Sequence, residues 1–190
     1  MKKITTLLLL LTLALSANII YADPIIDKIE AAGKKRAKIT GQFTQKKAGK
    51  DGKITDTKKG NLTYTLSDNK LEMKYDIPKG DYFCTDNDKM TMTKSGKKME
   101  FDLKKNALMH SLGNLLTNSF AGKISQIEKD NSVTVAVKTE KENYVITFTS
   151  TKKVVKGYSC IVLTYDKTSL QLKKMKLEEW TGQSTTYELN

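Results

Sequence analysis

Asn106 to Gly122 reads NALMHSLGNLLTNSFAG, and the long stretches on either side of it alternate in twos. On a helical wheel Leu108, Leu112, Leu115, Leu116 and Phe120 fall within an arc of roughly 140°, with Met109 at its edge. Thr117, Asn118, His110 and Asn114 take the opposite face. Asn106 is an N-cap residue and Gly122 a C′ residue, which bounds about fifteen helical residues, or roughly 22 Å. Gly113 costs about 1 kcal/mol relative to Ala, so the helix needs its apolar face docked. One amphipathic helix inserted in a chain of strands is either a lid that leaves the sheet during function or a plug that fills one side of a β core. Both readings stay open at this level.

Upstream, Asp23 and Pro24 offer a capping residue and a helix-starting proline. Ile25, Ile26, Ile29, Ala32 and Ala37 recur at helical spacing and run into a basic stretch from Lys34 to Lys38. From Ile39 the period changes to two, as in antiparallel strands separated by turn signals. Ile39 to Lys46 is the first strand, followed by a Gly- and Lys-rich loop at Gly49, Asp51 and Gly52. GNLTYTL, KLEMKYDI, DYFCT, MTMT and KMEFDL follow, then the helix. Beyond it ISQIE, SVTVAVKT, NYVITFTS, YSCIVLTYD, LQLKKMKLEE and STTYEL run to the terminus. About eleven or twelve strands, most apolar on one face only, predict a single antiparallel sheet that must curl, with two short helices covering its concave side.

The first 22 residues are expected to be a cleaved signal peptide. Lys2 and Lys3 form a positive n-region, Leu7 to Leu15 an apolar core, and Ile20-Tyr21-Ala22 a cleavage site, with Ala17 as the lesser alternative and an uncleaved anchor less favoured. The apolar run falls short of the roughly 20 residues a membrane span needs. Residues 23–190 then form one domain of an exported, soluble protein, expected to be a monomer.

The chain carries 33 Lys and Arg against 21 Asp and Glu, and Arg36 is its only Arg. Readers of nucleic acid favour Arg for bidentate contacts, and the Lys here sit on alternate strand positions and turns, so a nucleic-acid partner is not expected. Cys84 and Cys160 are headed for an oxidising compartment, either as one disulfide or as two buried thiols. His110 is the only His and lies off the apolar stripe. Glu178 and Glu179 are strand neighbours that point to opposite faces unless a bulge intervenes. Asp86-Asn87-Asp88 reads as a turn. No phosphate loop, zinc spacing or calcium loop is present, so neither catalytic residue, metal nor cofactor is expected.

Taken in order, these elements resemble the periplasmic lipoprotein carriers of the LolA type. The resemblance rests on the leader, the N-terminal helix, ITGQFTQ with Phe43-Thr44-Gln45, the Gly60-led GNLTYTL, MKYDIP with Tyr75 and Pro78, FCTDND, the leucine helix, and LKKMKLEEWTGQSTTYEL. It covers nearly all of residues 23–190. It implies an unclosed β-barrel with a helical lid, an apolar cavity for lipoprotein acyl chains or a related lipid, a periplasmic location, and transit from an inner-membrane ABC transporter to an outer-membrane acceptor. In some members an Arg after the Gly-led strand ties barrel to lid; here that turn reads TLSDNK and holds no Arg. Alternation nominates Leu62, Tyr64, Leu66, Met73, Tyr75, Met90, Met92, Met99 and Phe101 as cavity walls, with Leu108, Leu112, Leu115, Leu116 and Phe120 on the lid. Met-rich walls adapt to variable chain shapes. The alternative is an exported β domain with a filled core that binds a protein or glycan partner.

Overall fold

The structure, a computed structural model, describes residues 23–130, 132–153 and 157–190. The expected leader at residues 1–22 lies outside them. Helix α1 spans Pro24–Lys34, capped by Asp23, whose carboxylate accepts from Ile25 N–H at 2.8 Å. Strands β1 (Lys38–Ala48), β2 (Ile54–Thr65), β3 (Lys70–Ile77), β4 (Tyr82–Thr85), β5 (Lys89–Lys94) and β6 (Lys97–Asp102) follow. Then come α2 (Ala107–Ala121) and α3 (Ile124–Asp130), and β7 (Val133–Glu140), β8 (Asn143–Ser150), β9 (Tyr158–Asp166), β10 (Leu172–Glu179) and β11 (Ser184–Leu189).

All eleven strands form one antiparallel sheet in the order β6-β5-β4-β3-β2-β1-β11-β10-β9-β8-β7. Every adjacent pair in the sheet is made of consecutive strands except β1 and β11, which join the two halves. The strands beside the inserted helices, β6 and β7, are the two edges, and they do not pair with each other. The barrel is therefore unclosed, and the connection between its edges is α2–α3.

Directly opposed residues of an antiparallel pair share a face. Phe101, Met90, Thr85, Leu71, Tyr64 and Ile39 therefore line up across β6 to β1, and Met99, Met92, Phe83, Met73 and Leu62 form the next row. On the other half Met175, Leu163, Ile146 and Val137 make one row, and Leu177, Ile161, Phe148 and Val135 another. These rows and the helices build one continuous core.

Three expectations are corrected. ISQIE belongs to α3, not a strand: Ile124 and Ile127 are three apart and both fully buried, the spacing of one helical face. The helices thus number three among the described residues, where two were expected. Strand β2 begins at Ile54 rather than Gly60, because its polar start is held by pairing with the second half of β1, from Thr44↔Lys59 to Ala48↔Ile54.

Candidate functional site

The caps fix α2 where the sequence placed it. Asn106 Oδ1 accepts from Met109 N–H at 3.1 Å, and Gly122 takes a left-handed conformation at φ 71°. Two glycines seat the helix. A Cβ on Gly113 would lie 2.8 Å from Thr85 Oγ1 and 3.4 Å from Met90 Cε, so its absence lets α2 press directly on β4 and β5. A Cβ on Gly33 would collide with the Ala121 carbonyl, so α1 meets the end of α2 backbone to backbone.

The two halves of α2 differ. From Leu115 to Ala121 every residue is buried, as is Gly113. Thr117 and Asn118, expected on a solvent face, are enclosed, because α1 and α3 cover the side that the sheet does not. The hydroxyls of this half turn inward on the helix: Thr117 Oγ1 donates to the Gly113 carbonyl at 3.0 Å, and Ser119 Oγ to that of Leu115 at 2.7 Å. Tyr165 of β9 donates its hydroxyl to the Ser119 carbonyl at 2.7 Å, tying the helix to the far half of the sheet. The first half is looser. Leu108, expected on the apolar face, is 42% exposed. Met109 and Leu112 are half-buried, and His110 is exposed.

The nominated wall residues share the concave face. Leu62, Tyr64, Met73 and Met90 are buried against the core with Leu115, Leu116 and Phe120. Met92, Met99 and Phe101 near the β6 edge, and Leu66 and Tyr75, are half-buried. Ile146, Phe148, Ile161, Leu163, Tyr165, Met175 and Leu177, which were not nominated, are buried in the same core from the other half of the sheet, and the same alternation marks them. Phe43, Leu71 and Phe83, also not nominated, are buried too.

Leu115, Leu116 and Phe120 of α2 pack in the core, and a separate cavity of about 330 Å³ opens where Lys34, Leu66, Ala121 and Lys129 meet. Toward the β3–β4 connection a polar group lies against the core. Tyr75 donates its hydroxyl to Gln45 Oε1 at 2.8 Å and packs edge-on to Phe43, with ring centroids 5.1 Å apart. Lys58 Nζ sits 5.3 Å from the centre of the Tyr75 ring and pairs with Asp81 at 2.5 Å. That ammonium, with the Ser95 N–H, holds the buried Asp81 carboxyl below the usual range. Burial pushes the Tyr75 and Tyr187 phenols up.

Cys84 and Cys160 are free thiols. Cys84 is paired across the sheet with Glu72 and Thr91, and Cys160 with Thr149 and Glu178, so both alternate away from the core. Five strands separate theirs, which is why no bridge forms. Asp86 Oδ1 accepts from the N–H groups of Asp88 and Lys89, closing its own turn. Among the described residues no cluster of three or more His, Cys, Asp or Glu is placed to hold a metal ion. No helix among them is long and apolar enough to cross a membrane.

A family model described as outer membrane lipoprotein carrier protein LolA matches residues 34–190. A comparison with curated proteins found no match. Solved structures of similar fold include a putative outer membrane lipoprotein-sorting protein domain from Vibrio parahaemolyticus, at 13% identity over 87% of this chain and 88% of that one, TM-score 0.46. Lipoprotein LppX from Mycobacterium tuberculosis aligns at 12% identity over 89% and 95%, TM-score 0.43. The MucA/MucB complex from Pseudomonas aeruginosa aligns at 9% identity over 87% and 54%, TM-score 0.47.

Proposed function

The chain belongs to the family of the outer membrane lipoprotein carrier protein LolA, and from that premise we propose that it shields acyl chains of a lipoprotein or related lipid between the concave sheet and α2. The observation that supports this most is the uneven seating of α2. Its second half is locked into the core, while its first half leaves Leu108 exposed and Met109 and Leu112 half-covered. Met92, Met99 and Phe101 near the β6 edge are also only half-covered. Loosening the first half of α2 would uncover an apolar wall without breaking a strand pair.

The energetic need is large. Three acyl chains carry on the order of 45 methylenes at about 0.8 kcal/mol each, so leaving them in water costs roughly 35 kcal/mol. Leu112 and its half-covered neighbours offer the contacts such chains would take over, and the methionines among them adapt to chain shape. Export through the leader, a periplasmic location, loading from an inner-membrane ABC transporter and delivery to an outer-membrane acceptor belong to the same reading, supported by family membership.

The test is a fluorescent fatty acid whose emission rises in apolar surroundings. It should brighten on binding and be displaced by an unlabelled acylated peptide, more strongly as the acyl chain lengthens. Displacement indifferent to chain length, with binding that collapses in salt, would refute an apolar site and assign the signal to surface lysines.

A further inference from the structure

Antiparallel order collects the β1–β2, β3–β4 and β5–β6 connections at the end of the barrel away from where α1 joins β1. The β1–β2 hairpin reaches furthest: Lys59 of β2 is opposite Ile77 at the end of β3, and β2 begins five residues before it, at Ile54. Ile54 and Ile77 are each 56% exposed, and both lie at this end. Lysines flank them in sequence, in Lys53-Ile54 and in Ile77-Pro78-Lys79.

Lysines are exposed at both ends, among them Lys34, Lys35, Lys38 and Lys141 at the helix end. There Asp88 pairs with Lys104, Asp102 with Lys105 and Asp166 with Lys173. At the loop end Lys47, Lys50, Lys53, Lys79, Lys94 and Lys97 are exposed. Among the described residues, Lys53 alone of these has a carboxylate within salt-bridge distance, Asp51 at 3.7 Å. The other exposed acids beside them are Asp56 and Asp76, and Asp81 is buried and already held by Lys58.

We propose that this loop end docks on an anionic bilayer surface, Ile54 and Ile77 entering the headgroup–acyl boundary while the surrounding ammonium groups reach lipid phosphates. Exposed branched aliphatic side chains interleaved with long cationic ones suit that boundary, where the apolar group leaves water and the lysine stem lets its charge stay in it. An acidic protein would satisfy the lysines but gives no reason for two isoleucines held in solvent. The surface is independent of the interior and of the acyl-binding reading.

The test uses the full chain with Ile54→Trp and Ile77→Trp as reporters, the wild type supplying the Trp180 background. With vesicles of phosphatidylcholine containing phosphatidylglycerol, both reporters should shift to the blue and be quenched by brominated lipid, and salt should weaken both effects. Phosphatidylcholine alone should give little of either. In parallel, Lys47→Glu/Lys50→Glu/Lys53→Glu should weaken binding to anionic vesicles, read from reporter quenching, by about tenfold or more, since each lysine near the surface adds to the attraction. Reporters that stay water-exposed on anionic vesicles overturn the proposal. So does a response unchanged by the triple charge reversal, or unshifted reporters on a chain that polyglutamate captures, which would assign the lysines to an acidic protein.

Discussion

Replacing one leucine in each half of α2 by aspartate separates a movable segment from a fixed one. Leu116 is 2% exposed and packed in the core. Leu116→Asp loses about 2 kcal/mol of side-chain burial. It also strands a carboxyl with no partner, at a further cost of several kcal/mol. Against a typical domain stability of about 5–15 kcal/mol, that removes most of the folded population's margin. Leu112 is only half-buried, and its replacement can turn to solvent, so Leu112→Asp should cost about 1 kcal/mol. In a domain of this size that is a fall of about 2–4 °C in Tm. Thermal melts followed by circular dichroism, run beside the fluorescent fatty-acid assay, should find Leu112→Asp folded but deficient in binding, and Leu116→Asp broadly unfolded. If the two melt equally low, α2 is a plug along its whole length and the reasoning from uneven seating is wrong. If Leu112→Asp stays folded and binds normally, the first half of α2 is not part of the site.

Gly113→Leu should destabilise by about 1–3 kcal/mol in urea titrations, since the added side chain must displace Thr85 and Met90. Tyr165→Phe should cost about 1 kcal/mol in the same titrations by removing the buried bond to the Ser119 carbonyl. The Lys58–Asp81 pair predicts acid sensitivity of a defined sign. The Asp81 carboxyl is lowered in the folded protein, so its contribution is complete above the unfolded value near about 3.9 and is lost as pH falls through the folded value. Asp81→Asn should flatten that part of the stability–pH curve while lowering stability at neutral pH, and an unchanged acid limb would refute the assignment. Thiol titration of the unfolded, unreduced protein should find both Cys84 and Cys160 reactive.

What could be read from the chain depended on whether a side chain's role was local. Asn106 and Gly122 act on their own backbone, so the bounds of α2 were legible to the residue. Strand alternation likewise marked Leu62, Tyr64, Met73 and Met90 as inward-facing, and all four are buried. The environment of Thr117, Asn118 and Ser119 was not legible, because a helical wheel supposes one solvent face and cannot know that α1 and α3 occupy it. Leu108 failed in the opposite sense: its angle on the wheel matches the buried leucines, yet it is 42% exposed, because a wheel gives direction around the helix and not what lies beside each turn. Alternation reads ISQIE as a strand, which puts Ile124 and Ile127 on opposite faces; packed on α2 and α1, α3 takes both on one helical face. The early part of β2 carries almost no apolar residue, so nothing in its own composition marks it as strand.

The seam between β1 and β11 has a consequence for how the protein folds. Six residues from Phe43 to Ala48 are registered against Leu189 back to Ser184, nearly the whole length of the described chain apart. Gln42 and Asn190 exchange backbone hydrogen bonds at 3.3 and 3.0 Å where the seam ends. The meanders β1–β6 and β7–β11 each consist of neighbours in sequence and can assemble locally, but the seam must wait for the final strand and bears the largest loop-closure cost. A chain delivered N-terminus first therefore holds an open β1 edge until β11 arrives, and an open edge is a template for pairing with another chain. The final six-residue strand thus acts as the fastener of the whole sheet. Truncating it leaves two half-sheets with four bare edges in place of one sheet with two.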